Sequence, residues 1–169
     1  MQTFRIIRDA DINSSEAAPK EFLERKAARA VLFDKDGKVA LFHSTKNHYH
    51  KLPGGGVEDG EDLETALRRE LLEETGCSAG NIRELGIIEE YRNGLALHQL
   101  SYCFIADVVG EKGSPQLTED EVAEGFVVEW LDINTAIQTL EGEGGVEDYE
   151  GKFIQMRDLT FLKEARNIF

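Results

Sequence analysis

Apolar and polar positions recur along the chain with two different periods, and the change of period divides it into strands and helices. AARAVLFD (27–34) and KVALFHS (38–44) are short runs of apolar and β-branched residues on either side of KDG, the pattern of a hairpin. NIRELGIIEEYR (81–92) and LHQLSYCFIADVV (97–109) repeat it. The second carries Leu100, Tyr102 and Phe104 on one face and Cys103 and Ile105 on the other, so it is expected to be a central strand covered on both sides. Helical spacing appears in three places: a segment from about 63 to 75, a short one near INTAIQTLE (133–141), and a terminal one in GKFIQMRDLTFLKEARNIF, where Ile154, Phe161, Ala165 and Ile168 recur on one side. Strands with helices on either face imply an α/β sandwich. NSSEAAPKE and EGEGGVEDYEG are the loosened stretches and are expected to be surface loops. With 169 residues and neither a repeat nor a linker, the expectation is a single domain spanning 1–169.

Charge narrows the choice of partner. A net charge of -14 repels a phosphate backbone, because nucleic-acid binding draws on Lys and Arg neutralising phosphates, so a nucleic-acid polymer is not expected. A small anionic ligand stays open, since a bound divalent cation can invert the sign of a site. Cys77 and Cys103 are too few for a disulfide framework and lie in apolar surroundings. The start, MQTFRIIRDADINSSE, has no apolar signal core, and no run approaches a membrane span, so a reduced, cytoplasmic protein is expected, its oligomeric state open and a homodimer included.

The 63–75 segment carries the chemistry. Asp62 stands at an N-cap position, Glu64 in the first turn and Gly76 where a left-handed residue would end a helix. At about 100° per residue Leu63, Ala66, Leu67 and Leu71 mark the inward stripe, Glu70 and Glu74 share that sector, and Glu73 lies at its edge. Glu-rich helices are ordinarily solvated faces laced with ion pairs. Here Glu73 and Glu74 occupy the last turn, where the helix dipole disfavours negative charge, and inward acids must protonate or find a cation. Oxygen donors at i, i+3 and i+4 suit Mg²⁺ or Mn²⁺. The preceding LPGGGVEDGE adds three consecutive glycines, which let backbone approach a ligand closely.

These residues resemble the Nudix hydrolase family, MutT-like proteins whose box reads G, five residues, E, seven residues, R-E, an apolar residue, any residue, E-E, any residue, G, apolar. Gly55, Glu61, Arg69, Glu70, Leu71, Glu73, Glu74, Gly76 and Cys77 fill it, the cysteine standing in for the usual aliphatic residue. The resemblance implies an α/β/α sandwich with a mixed central sheet. It also implies Mg²⁺-dependent hydrolysis of the pyrophosphate bond of a nucleoside diphosphate linked to another moiety, a small nucleotide or nucleotide sugar, with water attacking phosphorus. It makes Gly55, Glu70, Glu73 and Glu74 the metal-binding set and Glu61, Arg69 and Glu73 the catalytic set, to be joined by a glutamate from a later loop, with Arg69 orienting carboxylates by charge-assisted hydrogen bonds.

Members of that family often add a glutamate from a later loop, and LTEDEVAEGF offers Glu119, Glu121 and Glu124. Glu121 is preferred, although Thr118 and Glu121 also form a capping-box pattern. His48, His50 and Tyr49 precede the box; a second metal site there competes with an exposed loop, and Tyr49 could stack on a base. Tyr91, Arg92 and His98 are either solvated turn residues or contacts for the far end of a substrate. Arg92 stands where ADP-ribose pyrophosphatases of the family carry a proline, and LPGGG lacks the lysine seen before the box in many dinucleoside polyphosphate hydrolases. Two rival readings remain: a catalytically silent nucleotide-sensing domain, which commonly loses box glutamates, and a diphosphate isomerase of the same fold, which needs an active-site cysteine.

Overall fold

Two long strands running parallel form the spine of the molecule. The computed structural model describes residues 1–143 and 146–168. Gly144 and Gly145 of the expected loop EGEGGVEDYEG, and Phe169 of the expected terminal helix, lie outside the described residues. In chain order the strands are β1 (Thr3–Arg8), β2 (Leu23–Phe33), β3 (Val39–Ser44), β4 (Tyr49–Lys51), β5 (Gly54–Gly56), β6 (Ser78–Arg92), β7 (Leu97–Val109) and β8 (Phe126–Leu131). The helices are α1 (Leu63–Thr75), α2 (Glu119–Ala123), α3 (Ile133–Gly142) and α4 (Tyr149–Arg166). β2 and β7 pair in parallel from Leu23 opposite Leu97 to Phe33 opposite Asp107. β6 lies antiparallel to β7 and β1 parallel to β6, giving a mixed sheet ordered β1-β6-β7-β2-β3-β4, with β5 added to β2 and β8 to β3. The central position expected for 97–109 is met.

The expected hairpin between 27–34 and 38–44 is reduced to one pair, Phe33 opposite Val39. The glycine strand β5 takes the edge of β2 instead, pairing Ala27, Ala28 and Arg29 with Gly56, Gly55 and Gly54. This displacement positions the site, because it lays the glycine run along the middle of the sheet.

Side-chain alternation on β2 sorts the core into two layers. Ala28, Ala30 and Leu32 meet Ala66, Leu67 and Leu71 of α1 on one face. Val31, with Leu41, Ile88, Cys103 and Ile105, meets Ile137 and Leu140 of α3 and Phe153, Phe161 and Leu162 of α4 on the other. Each of the large side chains so buried contributes about 1.5–3 kcal/mol. The result is the expected α/β/α sandwich. Both cysteines are free and fully buried. Among the described residues no helix is long and apolar enough to cross a membrane.

Helix α4 departs from the expected stripe. Ile168 lies beyond its end and is exposed, and the inward face carries two charged residues, Arg157 and Asp158, both with no exposed surface. The Arg157 guanidinium donates to both Asp158 oxygens, at 2.7 and 3.0 Å, and to Glu90 of β6 at 3.4 Å. Asp158 also accepts the Leu52 N–H at 2.8 Å, which ties α4 to the segment between β4 and β5. Burial opposes the Arg157 charge, but Asp158 and Glu90 outweigh it and hold the group firmly protonated. A buried ion pair is costly to break on one side, because the survivor is left charged without a partner. Asp158→Ala should therefore lower unfolding free energy by about 3–5 kcal/mol in denaturant titrations; a loss below about 1 kcal/mol would remove the pair from the account of how the glycine segment is held.

Candidate active site

Local sequence sets the ends of α1. The Asp62 carboxylate accepts the Thr65 N–H at 2.7 Å, and Gly76 closes the helix at φ 68° with its N–H on Leu72 O. Between these caps the stripe of Ala66, Leu67 and Leu71 is buried, and that orientation turns Glu70 and Glu74 towards the glycine strand. Glu74 is 3 % exposed; one oxygen accepts the Gly54 N–H at 2.6 Å and the other lies 3.5 Å from Lys51 Nζ. Burial pushes its carboxyl up to about 7, against the pull of Lys51. Glu73 differs from its neighbours: its side chain is 47 % exposed, because the edge of the stripe is already the rim of the sandwich. The expectation of three inward carboxylates holds for two.

Arg69 organises the rest. Its Nε and Nη2 donate to the two oxygens of Glu61 at 2.8 and 2.9 Å, a bidentate pair that lysine could not form. Nη1 donates to Glu70 at 2.8 Å and to Glu73 at 3.4 Å, and Nη2 also reaches Gly56 O at 3.1 Å. Arg69 hydrogen bonds, with the Glu58 N–H, hold the Glu61 carboxyl down at about 2, and the same bonds raise Arg69 above its usual range. One guanidinium thus fixes three carboxylates and the last carbonyl of β5.

The glycine strand is glycine for a steric reason. Gly54 has φ +130° and a Cβ there would strike the backbone of Ala28; a Cβ on Gly55 would strike the carboxylate of Glu70. Glu70, Glu73, Glu74 and the Gly55 backbone therefore gather within one cleft of about 450 Å³. This all-oxygen donor set fits a hard divalent cation such as Mg²⁺ or Mn²⁺.

Other walls of the cleft come from Arg25, Arg29, Arg92, Gln99, Glu121 and Arg157. Glu121 is on the wall while Glu119 and Glu124 are not, and the Glu121 carboxylate closes the foreseen capping box on Thr118, accepting its N–H at 2.9 Å. Arg92, expected as a solvated turn residue or a substrate contact, is buried and paired with Glu90 and Glu150, both at 2.9 Å. Tyr91 and His98 stack on each other, 4.3 Å apart. The expected exposed loop at His48, Tyr49 and His50 is corrected: only His48 is exposed, while Tyr49 packs edge-on against Phe126 and His50 is buried in β4. Tyr49 is therefore not free to stack on a base. Sequence reasoning missed Arg25 and Arg29, whose only signal was their alternation with Ala27 on β2. A larger cavity of about 760 Å³, between the turn after β1 and helices α3 and α4, holds none of the α1 carboxylates.

Comparison with known proteins follows the same lines. The NUDIX domain family model matches residues 23–150. An ADP-ribose pyrophosphatase of Methanocaldococcus jannaschii is 37 % identical over 92 residues, a stretch that covers 53 % of this chain and 54 % of that protein. An RNA pyrophosphohydrolase of Caulobacter vibrioides is 52 % identical over 52 residues, 29 % of this chain and 30 % of that protein, so the chain spans only about half or a third of these two relatives. Diphosphoinositol polyphosphate phosphohydrolase 3-alpha of Mus musculus is 30 % identical over 73 % of this chain and 72 % of its own. A NUDIX hydrolase structure from Nitrosomonas europaea superposes with a TM-score of 0.64 at 21 % identity, covering 86 % of this chain and 90 % of that one, which shows the shared fold. By the span of the family match and by the fold, the chain belongs to the NUDIX domain family.

Proposed function

We propose that the protein, a single cytoplasmic domain over residues 1–169, hydrolyses the pyrophosphate bond of a nucleoside diphosphate linked to another moiety, with Mg²⁺ or Mn²⁺. The observation that carries this reading is one cleft in which the α1 carboxylates and the guanidinium groups of Arg25 and Arg29 converge. Carboxylates suit a cation and guanidiniums suit phosphate oxygens, so the two together suit a metal-chelated pyrophosphate, although Arg29 already donates to Gly54 O at 2.8 Å and of the two only Arg25 is uncommitted among the described residues. Relatives named as pyrophosphatases and pyrophosphohydrolases support the reaction class.

In this reading Glu70, Glu73, Glu74 and the Gly55 carbonyl would hold the cation. When bound, it would neutralise phosphate charge and make water a better nucleophile. Arg69, buttressed by Glu61, keeps the carboxylates in place as a positioning residue. Glu121 takes the proton from water as its oxygen bonds to phosphorus, and the bridging oxygen leaves with the other product. Arg25 makes no hydrogen bond or ion pair among the described residues and lies exposed on the cleft wall, free to bind phosphate. The Nε groups of Arg29 and Arg92 are buried and have no acceptor among the described residues.

The rivals fit less well. A silent sensing domain commonly loses box glutamates, and this chain keeps them all. An isomerase needs a cysteine in the cleft, and neither Cys77 nor Cys103 lines it; burial pushes the Cys103 thiol well above its usual range.

Incubation of a panel of nucleoside diphosphate derivatives with Mg²⁺ in ¹⁸O-water should yield a nucleoside monophosphate and a phosphorylated remainder, one of them labelled. Glu73→Gln should lower kcat by at least about a hundredfold, the scale expected when charge stabilisation of several kcal/mol is impaired. Binding without any labelled product across the panel would favour the sensing domain. Arg25→Ala should raise KM about tenfold or more, the scale of one charge-assisted hydrogen bond, with the melting temperature unchanged; an unchanged KM on every substrate cut would remove Arg25 from phosphate recognition.

A further inference from the structure

On the opposite side of β4 from the α1 cleft, His43 and His50 sit across from each other in the β3–β4 pair, with rings stacked at 3.9 Å and 15°. His43 Nδ1 lies 2.8 Å from one oxygen of Glu129, on β8, and His50 Nε2 lies 3.3 Å from the other. His50 Nδ1 meets an oxygen of Glu143, the residue that caps the C-terminal end of α3. Donor atoms of His43, His50 and Glu129 all fall within 4.8 Å of one another. None of these four residues lines the α1 cleft.

Counting charges leaves the cluster short of a cation. A neutral imidazole has one N–H and one lone pair, and an ionised carboxylate only accepts. His50 presents both ring nitrogens to carboxylate oxygens, so in its neutral form one of those contacts sets a lone pair against a lone pair. With both imidazoles neutral the four residues carry two negative charges, at the end of a helix whose carbonyls also favour a cation. The second Glu143 oxygen is buried and has no hydrogen-bond partner among the described residues. One added proton, on His50, gives each of these contacts an N–H but leaves a net negative charge and the orphaned Glu143 oxygen, and a second would set two imidazolium rings face to face. One divalent cation balances the charge without that repulsion.

We propose that His43, His50 and Glu129, with Glu143 adjoining, form a second cation site, for a divalent transition metal of the Zn²⁺ type. Imidazole nitrogens with carboxylate oxygens suit Zn²⁺, Co²⁺ or Ni²⁺, whereas Mg²⁺ prefers oxygen alone. The two sites therefore differ in chemistry as well as position. The role is structural: the ion would join β3, β4, β8 and the end of α3. His50 immediately precedes Lys51, whose ammonium faces Glu74, so metal at the second site would stiffen the strand that leads into the glycine segment.

The test is titration of the full chain with Zn²⁺, and separately with Co²⁺, in excess Mg²⁺ so that the carboxylate cleft is occupied. One equivalent of Zn²⁺ should bind, Co²⁺ should give the visible absorption of a nitrogen-containing low-coordinate site, and Glu129→Gln and His43→Asn should each weaken affinity at least about tenfold, no less than the loss of a group that merely supports a ligand. Imidazole NMR signals read the unmutated protein, independently of how any variant folds. Two of the four histidines, His43 and His50, should shift with the first equivalent of Zn²⁺ while His48 and His98 do not. No stoichiometric Zn²⁺ binding, or binding that moves only His48 or His98, would overturn the proposal.

Discussion

Glu70, Glu73 and Glu74 crowd the last turns of α1, Glu61 approaches from the segment before it, and one guanidinium, Arg69, bonds three of the four. Two like charges 4 Å apart repel by about 4 kcal/mol near a protein surface. Arg69 offsets part of this by bonding Glu61, Glu70 and Glu73. Glu74 lies beyond its reach and is instead buried against the Gly54 N–H and Lys51, where loss of water drives its carboxyl up to about 7. Against an ordinary value of 4.5, that shift disfavours the folded chain with Glu74 ionised by on the order of 3 kcal/mol. This is a large fraction of the 5–15 kcal/mol that typically holds a domain folded.

The strain is tolerable because the glycine segment cannot move away. Within three consecutive residues, His50 is held by Glu129 and Glu143, Lys51 faces Glu74, and Leu52 donates to Asp158. Asp158 is clamped by Arg157, which also reaches Glu90 in the sheet. A chain of charged contacts therefore runs from helix α4 through β4 to the end of α1, and fixes the distance between the glycine backbone and the carboxylates. Gly54 and Gly55 complete it by leaving no Cβ in the way.

The fold was legible where periodicity was clean. The apolar stripe of α1, its caps at Asp62 and Gly76, and the two-faced pattern of β7 all describe local geometry, and all appear in the structure. What escaped is non-local. The apparent hairpin at Lys35–Gly37 gave way to β5 because three glycines pair as a strand despite weak strand propensity, once a neighbour offers an edge. Arg157 and Asp158 have no local mark of burial, because it depends on Glu90, 67 positions away from Arg157. His50 was mistaken for a loop residue for the same reason: its partners Glu129 and Glu143 are 79 and 93 positions distant. The box glutamates were found because they lie within one helix, whereas Arg25 carries no local mark that separates it from any exposed strand arginine.

The central claim is that the carboxylate cluster is held in a repulsive state that a divalent cation relieves. In the cation-free protein the raised Glu74 carboxyl means that the folded state binds a proton more tightly than the unfolded chain, so stability falls as pH rises from about 4.5 through about 7. Cation binding needs the same group ionised, so its stabilisation grows over that interval and is lost as pH falls. Thermal unfolding with and without saturating Mg²⁺, in wild type and in the Glu70→Gln, Glu73→Gln, Glu74→Gln triple variant, reads this directly. The account predicts a rise in melting temperature with Mg²⁺ at pH 8, equivalent to about 2.7 kcal/mol at a hundredfold excess over the dissociation constant. It predicts little rise at pH 5 and none in the triple variant, which without Mg²⁺ should melt above wild type at pH 8. An equal Mg²⁺ shift in both proteins would contradict it.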